Sequence, residues 1–135
     1  MQKHYFLAKS EINSYSIDNL ANDKTTYWDG VHNYQAINTI KSWKIGDIIF
    51  FYHSNKDPAI VGIMEVVSLP QFDLLDIRKI SWKAEDKFLQ KFKNPISLKE
   101  IKNSNKFPTF ALMKNSRLSV MACPQDFVDY VLDKN

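Results

Sequence analysis

GDIIFFYHSNKDPAIVGIMEVV, residues 46–67, decides how this chain folds. Gly46-Asp47 is turn chemistry, and Ile48 to His53 is a continuous apolar run of strand length. A half-exposed strand alternates apolar with polar residues, so an unbroken run belongs to a strand buried on both faces. Asn55 to Pro58 (NKDP) supplies a second turn, and residues 59–67 (AIVGIMEVV) supply a second strand. The two strands predict a hairpin against which the remaining elements pack.

Upstream, residues 4–9 (HYFLAK) read as an opening strand. Ser16 can cap a short helix through Ala21, with Asp18 in its first turn. Residues 33–40 (NYQAINTI) read as a helix with Ala36, Ile37 and Ile40 on one side. Downstream, residues 68–80 form a loop with a helical turn at 74–79, and residues 82–92 a strand in which Phe88, Gln90 and Phe92 alternate. Ser97-Leu98-Lys99-Glu100 has the spacing of a capping box and opens a helix to Asn103. Residues 118–121 are a short strand. Pro124 suits the first position of a last helix, with Phe127, Val128, Val131 and Leu132 at core spacing. This order predicts an α+β fold: a curled or barrel-like, mostly antiparallel sheet flanked by short helices.

At 135 residues, with 44% hydrophobic and 13% aromatic, the chain has the size and the apolar material of one domain over 1–135, which excludes disorder as its main state. There is no repeat, low-complexity tract or Gly/Ser linker. No apolar run approaches the ~20 residues that span a bilayer, so no membrane partner is expected. Residues 1–9 lack the basic-then-apolar pattern of a secretory leader. Cys123 stands alone, which excludes an internal disulfide framework and fits a reducing, cytoplasmic setting. Net charge is only +3, yet residues 78–117 hold eleven Lys/Arg against three acids. That asymmetry equally suits a phosphate-attracting face and an ordinary solvated surface.

Chemistry concentrates in three places. WDGVHNYQA (28–36) packs Trp, Tyr, His, Asn and Gln around one glycine at a loop-to-helix junction. Aromatic faces stack on bases, and amide side chains match the donor and acceptor edges of bases. Singly, Asn33 also suits a helix N-cap and Trp28 a core anchor; together the residues favour a site. FFYHSN (50–55) ends a buried strand in polar groups, where rigid backbone fixes side chains beside loops. Phe51 and His53 share one face of that strand and Tyr52 and Ser54 the other, so both pairs line one pocket only if the strand twists or bulges. In SRLSV (116–120), Arg117 can pair with a phosphate or with a carboxylate such as Asp29.

The parts for catalysis are poor. His4, His32, His53 and Cys123 have no metal-ligand spacing. Gly30, Gly46 and Gly62 are isolated and make no phosphate-cradling loop. His53 and Ser54 are strand neighbours and point apart, so His53 reads more readily as structural than catalytic. No catalytic residue, metal or cofactor is expected.

Taken in order, WDGVHNYQA, GDIIFFYHSN and RLSV resemble the EVE domain, with further agreement at LAKSE (7–11), residues 59–67 and PISLKEI (95–101). The resemblance covers nearly the whole chain. It implies a PUA-like fold, related to the YTH and ASCH domains that bind RNA or flipped bases. It also implies a non-enzymatic reader of modified bases, above all modified cytosine in DNA, with RNA as another carrier. A free nucleoside or nucleotide-like small molecule in the same pocket is the alternative, and an enzyme acting on such a ligand the second rival. Carried over position by position, the resemblance places Trp28, Asn33, Tyr34 and Gln35 at the pocket and Tyr52, His53 and Ser54 on another wall. Arg117 and Ser119 come nearby, and Lys9 and Ser10 at the end of the first strand. Trp28 is expected as a stacking platform, with several of Lys83, Lys87, Lys91, Lys93, Lys99, Lys102 and Lys106 at the rim. The chain departs from the family pattern at Ile12, where proline is usual, and at His32, where arginine is usual. A mostly neutral imidazole weakens a phosphate contact there. The segment between Val67 and Trp82 is also shorter, which opens the pocket or alters its selectivity.

Overall fold

The apolar run becomes the buried spine of the sheet. In the computed structural model, which describes residues 4–135, β1 (Tyr5–Glu11) and β4 (Ala59–Val66) flank β3 (Ile48–Ser54), whose first six residues are buried. Residues 1–3, part of the stretch read for a leader, lie outside the described residues. With β2 (Thr25–Trp28), β5 (Gln71–Phe72), β6 (Trp82–Ser97) and β7 (Val120–Ala122), the sheet runs β2-β6-β4-β3-β1-β7, and β5 pairs separately with β6. Among the described residues only the β1–β3 pair is parallel, in a register from Tyr5↔Ile48 to Glu11↔Ser54. A parallel pair needs a crossover, and α1 (Ile17–Asp23), β2 and α2 (Tyr34–Lys41) provide it.

The hairpin forms as predicted, from Ile48↔Glu65 to His53↔Ala59, with a register shift between Phe51 and Tyr52. Two further shifts interrupt β4–β6 pairing. Such irregularities bend strands and raise their twist, and they curl this sheet. β6 runs to Ser97, five residues beyond the predicted end at Phe92. It serves three partners: residues 82–83 pair with β5, residues 84–87 with β2, and the strand continues along β4.

The helices begin where capping chemistry places them. Ser16 Oγ accepts from Asn19 N at 3.1 Å while Asn19 Oδ1 accepts from Ser16 N at 2.9 Å, a reciprocal box. Asn33 caps α2 by accepting from Ala36 N at 3.0 Å. Ser97 caps α3 (Leu98–Ser104), but the predicted box there is half made, because Glu100 pairs with Lys134 at 2.9 Å. A short α4 (Ala111–Lys114) has no sequence forecast. Pro124 is the residue before α5 (Gln125–Asp133) and not its first position, and Leu132 is 41% exposed and outside the core that Phe127, Val128 and Val131 enter.

Each face of β3 has its own aromatic cluster. Phe50 meets Tyr5 and Phe127, with centroids 5.7 and 6.3 Å away, and Phe51 meets Trp28 and Tyr15 at 5.5 and 6.5 Å. α1 seats directly on β4 at Gly62, where an added Cβ would stand 2.5 Å from Gln90 O and 2.8 Å from Ile17 Cδ1. Among the described residues no helix is long and apolar enough to cross a membrane.

Candidate functional site

On the Phe51 face, the end of β1 and the last three residues of β2 open a cavity of about 460 Å³. Lys9 and Ser10 come from β1, Ser14 and Tyr15 from the turn after it, and Thr26, Tyr27 and Trp28 from β2. Asp29 to His32 close one side and Ser119 another. Gly30 stands at φ 70°, so the chain turns sharply between β2 and α2 where most side chains would be strained.

Trp28 is 8% exposed and meets Phe51 nearly edge-on, at 84°. It is therefore a core anchor that also forms cavity wall, which corrects its reading as an open loop platform: Trp28 ends a strand. Tyr15 donates its hydroxyl to Asp23 at 2.9 Å, and Ser10 Oγ donates to Tyr15 O at 2.6 Å, fixing the turn that carries both. The Lys9 backbone N–H donates to Ser119 O at 2.8 Å and its ammonium to Ser116 O at 3.2 Å, so the β7 approach is tied to β1. Burial lowers the pKa of Lys9.

Two acids shape the far side. Burial pushes the Asp29 carboxyl up, the neighbouring Asp73 adds to this, and Lys83 opposes both. Lys83 also lies 4.9 Å from the Tyr27 ring centroid. His32 Nε2 stands 2.7 Å from Asp76 Oδ1, and this bond, with the Ile80 and Ser81 amides on Oδ2, holds Asp76 well below the usual carboxylate range. His32 thus fastens the loop of residues 73–81 to the cavity.

The structure brings Lys9, Ser10, Trp28, His32 and Ser119 to this cavity and keeps other candidates away from its lining. The Asn33 oxygen is engaged in capping α2. Tyr34, 68% exposed, and Gln35 lie on the outer side of that helix, whose inner side is Ala36, Ile37 and Ile40. Tyr52 is buried behind Lys9, 5.7 Å from its ammonium, and burial pushes the phenol up to about 12. His53 Nε2 accepts from Ile17 N at 3.1 Å, the first amide of α1, so the proton sits on Nδ1. Burial lowers the pKa of His53, in keeping with that neutral form. Ser54 closes β3 opposite Glu11. Arg117 is exposed, and among the described residues no ion pair joins it to Asp29.

Sequence reading missed Ser14 and Tyr15, which sit in the turn after β1, and Thr26 and Tyr27, because four residues (TTYW) are too few to announce a strand. The basic stretch does not gather at the cavity as predicted: Lys83 borders it, but Lys91 pairs with Asp18 at 2.8 Å and Lys106 lies over Tyr130 in a separate groove. Among the described residues no group of three or more His, Cys, Asp or Glu could hold a metal. What the cavity offers is an aromatic wall, hydroxyls and a carboxyl held toward neutrality, a set suited to gripping a flat polar ring.

The EVE domain family model matches residues 4–134. Thymocyte nuclear protein 1 of Rattus norvegicus is 33% identical over 163 residues, covering 96% of this chain and 72% of the relative. A hypothetical protein from Leishmania major has the same architecture, with TM-score 0.89 and 34% identity over 98% of this chain and 94% of that one. The human THYN1 protein, solved in complex with 5-methylcytosine-containing DNA, also gives a TM-score of 0.89, with 30% identity over 97% of this chain and 96% of that one.

Proposed function

The chain belongs to the EVE domain family and has its PUA-like fold, and from that premise we propose that it binds nucleic acid by holding a modified base, a modified cytosine in DNA, in the cavity beside Trp28. The observation that carries this reading is the cavity itself, about 460 Å³ with Trp28, Asp29, Ser10 and Ser119 in its lining. That volume falls within the few hundred to ~1,000 Å³ of small-ligand sites. Human THYN1, so similar in fold, was solved with DNA containing 5-methylcytosine.

Asp29 supplies the reading of the base edge. Cytosine presents an amino donor beside a ring-nitrogen acceptor, and Asp or Glu is a known acceptor for that amine. A protonated carboxyl accepts from the amine and donates to the ring nitrogen at once; burial and Asp73 favour that form. Trp28 supplies the apolar wall, Lys9 a positive charge in the lining, and Lys83 another close to Asp29. Such a site works by binding, with no bond made or broken. The lone Cys123 suits a reducing, cytoplasmic setting.

The scattered lysines favour a second reading, a free nucleoside or nucleotide-like ligand, because a polymer needs phosphate contacts that steepen salt dependence. Fluorescence anisotropy separates the two, using DNA and RNA oligonucleotides with 5-methylcytosine or cytosine and the free nucleoside as competitor. The expected result is preference for the methylated strand. Asp29→Ala should weaken it about tenfold, the loss of one or two hydrogen bonds between neutral groups, while Asp29→Asn retains it, since an amide also donates and accepts. Wild-type affinity should rise as pH falls toward the raised Asp29 pKa, and the Asn variant should lack that trend. Equal binding of methylated and plain strands at every pH refutes the proposal.

A further inference from the structure

The loop after β5 is built inside out. Leu74, Leu75 and Ile77 are 84%, 86% and 96% exposed, whereas Asp73 and Ser81 at its base are 7% and 0%. The acids do the holding. Asp73 Oδ1 accepts from Leu75 N at 3.0 Å, and Asp76 Oδ2 accepts from the amides of Ile80 and Ser81 at 3.0 and 2.9 Å. His32 grips the other Asp76 oxygen at 2.7 Å, and Asp73 N donates to Ser81 O at 2.9 Å. A closed hydrogen-bonded frame therefore presents three aliphatic side chains to solvent. Exposed apolar surface held in a fixed shape marks a contact site, and pre-shaping reduces the entropy lost on contact.

The position of the frame identifies the partner. The groove beneath it, about 480 Å³, shares Asp29, Gly30 and His32 with the base cavity. Whatever lies against Leu75 and Ile77 is therefore continuous with whatever occupies the cavity. Exposed Arg78 and Lys79 adjoin the aliphatic tip and can meet phosphates. Drawing a base out of a duplex costs unstacking energy, and Leu and Ile are among the apolar side chains that proteins insert between base steps.

We propose that residues 74–79 are a wedge that enters duplex DNA and fills the step vacated by the base drawn into the cavity. The proposal rests on the base-holding reading and adds that this chain takes its base from paired nucleic acid. Its test compares a duplex bearing one 5-methylcytosine with the same modified strand alone, for the wild type and for Leu75→Ser/Ile77→Ser. Both substitutions are on exposed side chains, and melting curves check the fold. The double variant should lose about tenfold or more in affinity for the duplex, the scale of one unstacked step, and keep its affinity for the single strand, where no step needs filling. Leu75→Met/Ile77→Met should restore duplex binding. Equal loss on both strand forms, or no loss on either, overturns the wedge. So does unchanged DNA affinity together with loss of self-association in sedimentation, or with loss of binding to anionic vesicles, which would give the aliphatic tip to a second copy or to a lipid surface. Wild-type protein that binds neither strand form removes the base-holding reading as well, an outcome distinct from loss of the wedge alone.

Discussion

Trp28 carries two functions at once, and substituting it by alanine should separate them by magnitude. Its indole is 92% buried by the complement of its 8% exposure, with its edge on Phe51 at 5.5 Å. Truncation of a buried Trp costs ~3–5 kcal/mol of folding free energy. The side facing the cavity already lacks protein neighbours to lose, so Trp28→Ala should fall at the low end, about 3 kcal/mol. For a chain of this size that lowers Tm by roughly 10–15 °C. At temperatures where the variant stays folded, loss of the wall should cost about 1–3 kcal/mol of base binding, about five- to 150-fold in Kd. Tyr34→Ala is the control: the side chain is 68% exposed and off the cavity lining, so stability should change within ~0.5 kcal/mol and affinity not at all. The assay is differential scanning fluorimetry and anisotropy with a 5-methylcytosine oligonucleotide on the same samples. An unchanged Tm for Trp28→Ala would show that it does not anchor the core. Wild-type affinity in the folded variant, or lost affinity in Tyr34→Ala, would refute the cavity as the site.

Gly62→Ala should destabilise by about 1–3 kcal/mol, the range for overpacking, since its methyl group would meet Gln90 O at 2.5 Å and Ile17 Cδ1 at 2.8 Å; chemical denaturation checks this, and a neutral result would mean that α1 shifts freely on β4. Asp86 is 0% exposed on β6, its carboxylate has no hydrogen-bond partner among the described residues, and burial, assisted by Glu85, raises its pKa well above the ordinary value. A raised carboxyl contributes stability that is present below the unfolded pKa and lost as pH rises through the folded one. Asp86→Asn should therefore raise Tm at neutral pH and flatten its decline with pH; an unchanged pH profile would show that Asp86 does not titrate in that range.

Sequence legibility followed the strength of local signals. The run at residues 48–53 and the caps at Ser16 and Asn33 are local, and each produced its element. β2 and β5, four and two residues long, exist because β6 offers them an edge, and nothing in TTYW or QF states that. The cavity shows the same limit. Trp28 and His32 were legible as a cluster, whereas Ser119 reaches Lys9 only because β7 lies beside β1, a pairing across more than a hundred residues. Asn33 and His53 illustrate competition: polar side chains that suit a base edge are engaged by helix amides first. The lysine-rich stretch failed as a guide because β6 is long and twisted and spreads its charges over several surfaces.

β1 sits between β3 and β7, so one of its edges is completed only by Val120–Ala122, near the C-terminal end. During synthesis β1 emerges more than a hundred residues ahead of this partner and waits for it. Until then Phe6, Leu7 and Ala8 border an unpaired edge, the kind of surface that recruits foreign strands. Closing so distant a pair costs loop entropy before any contact repays it, which makes late strand docking the slow step. A chain lacking β7 should therefore keep a template for aggregation in place of a sealed sheet.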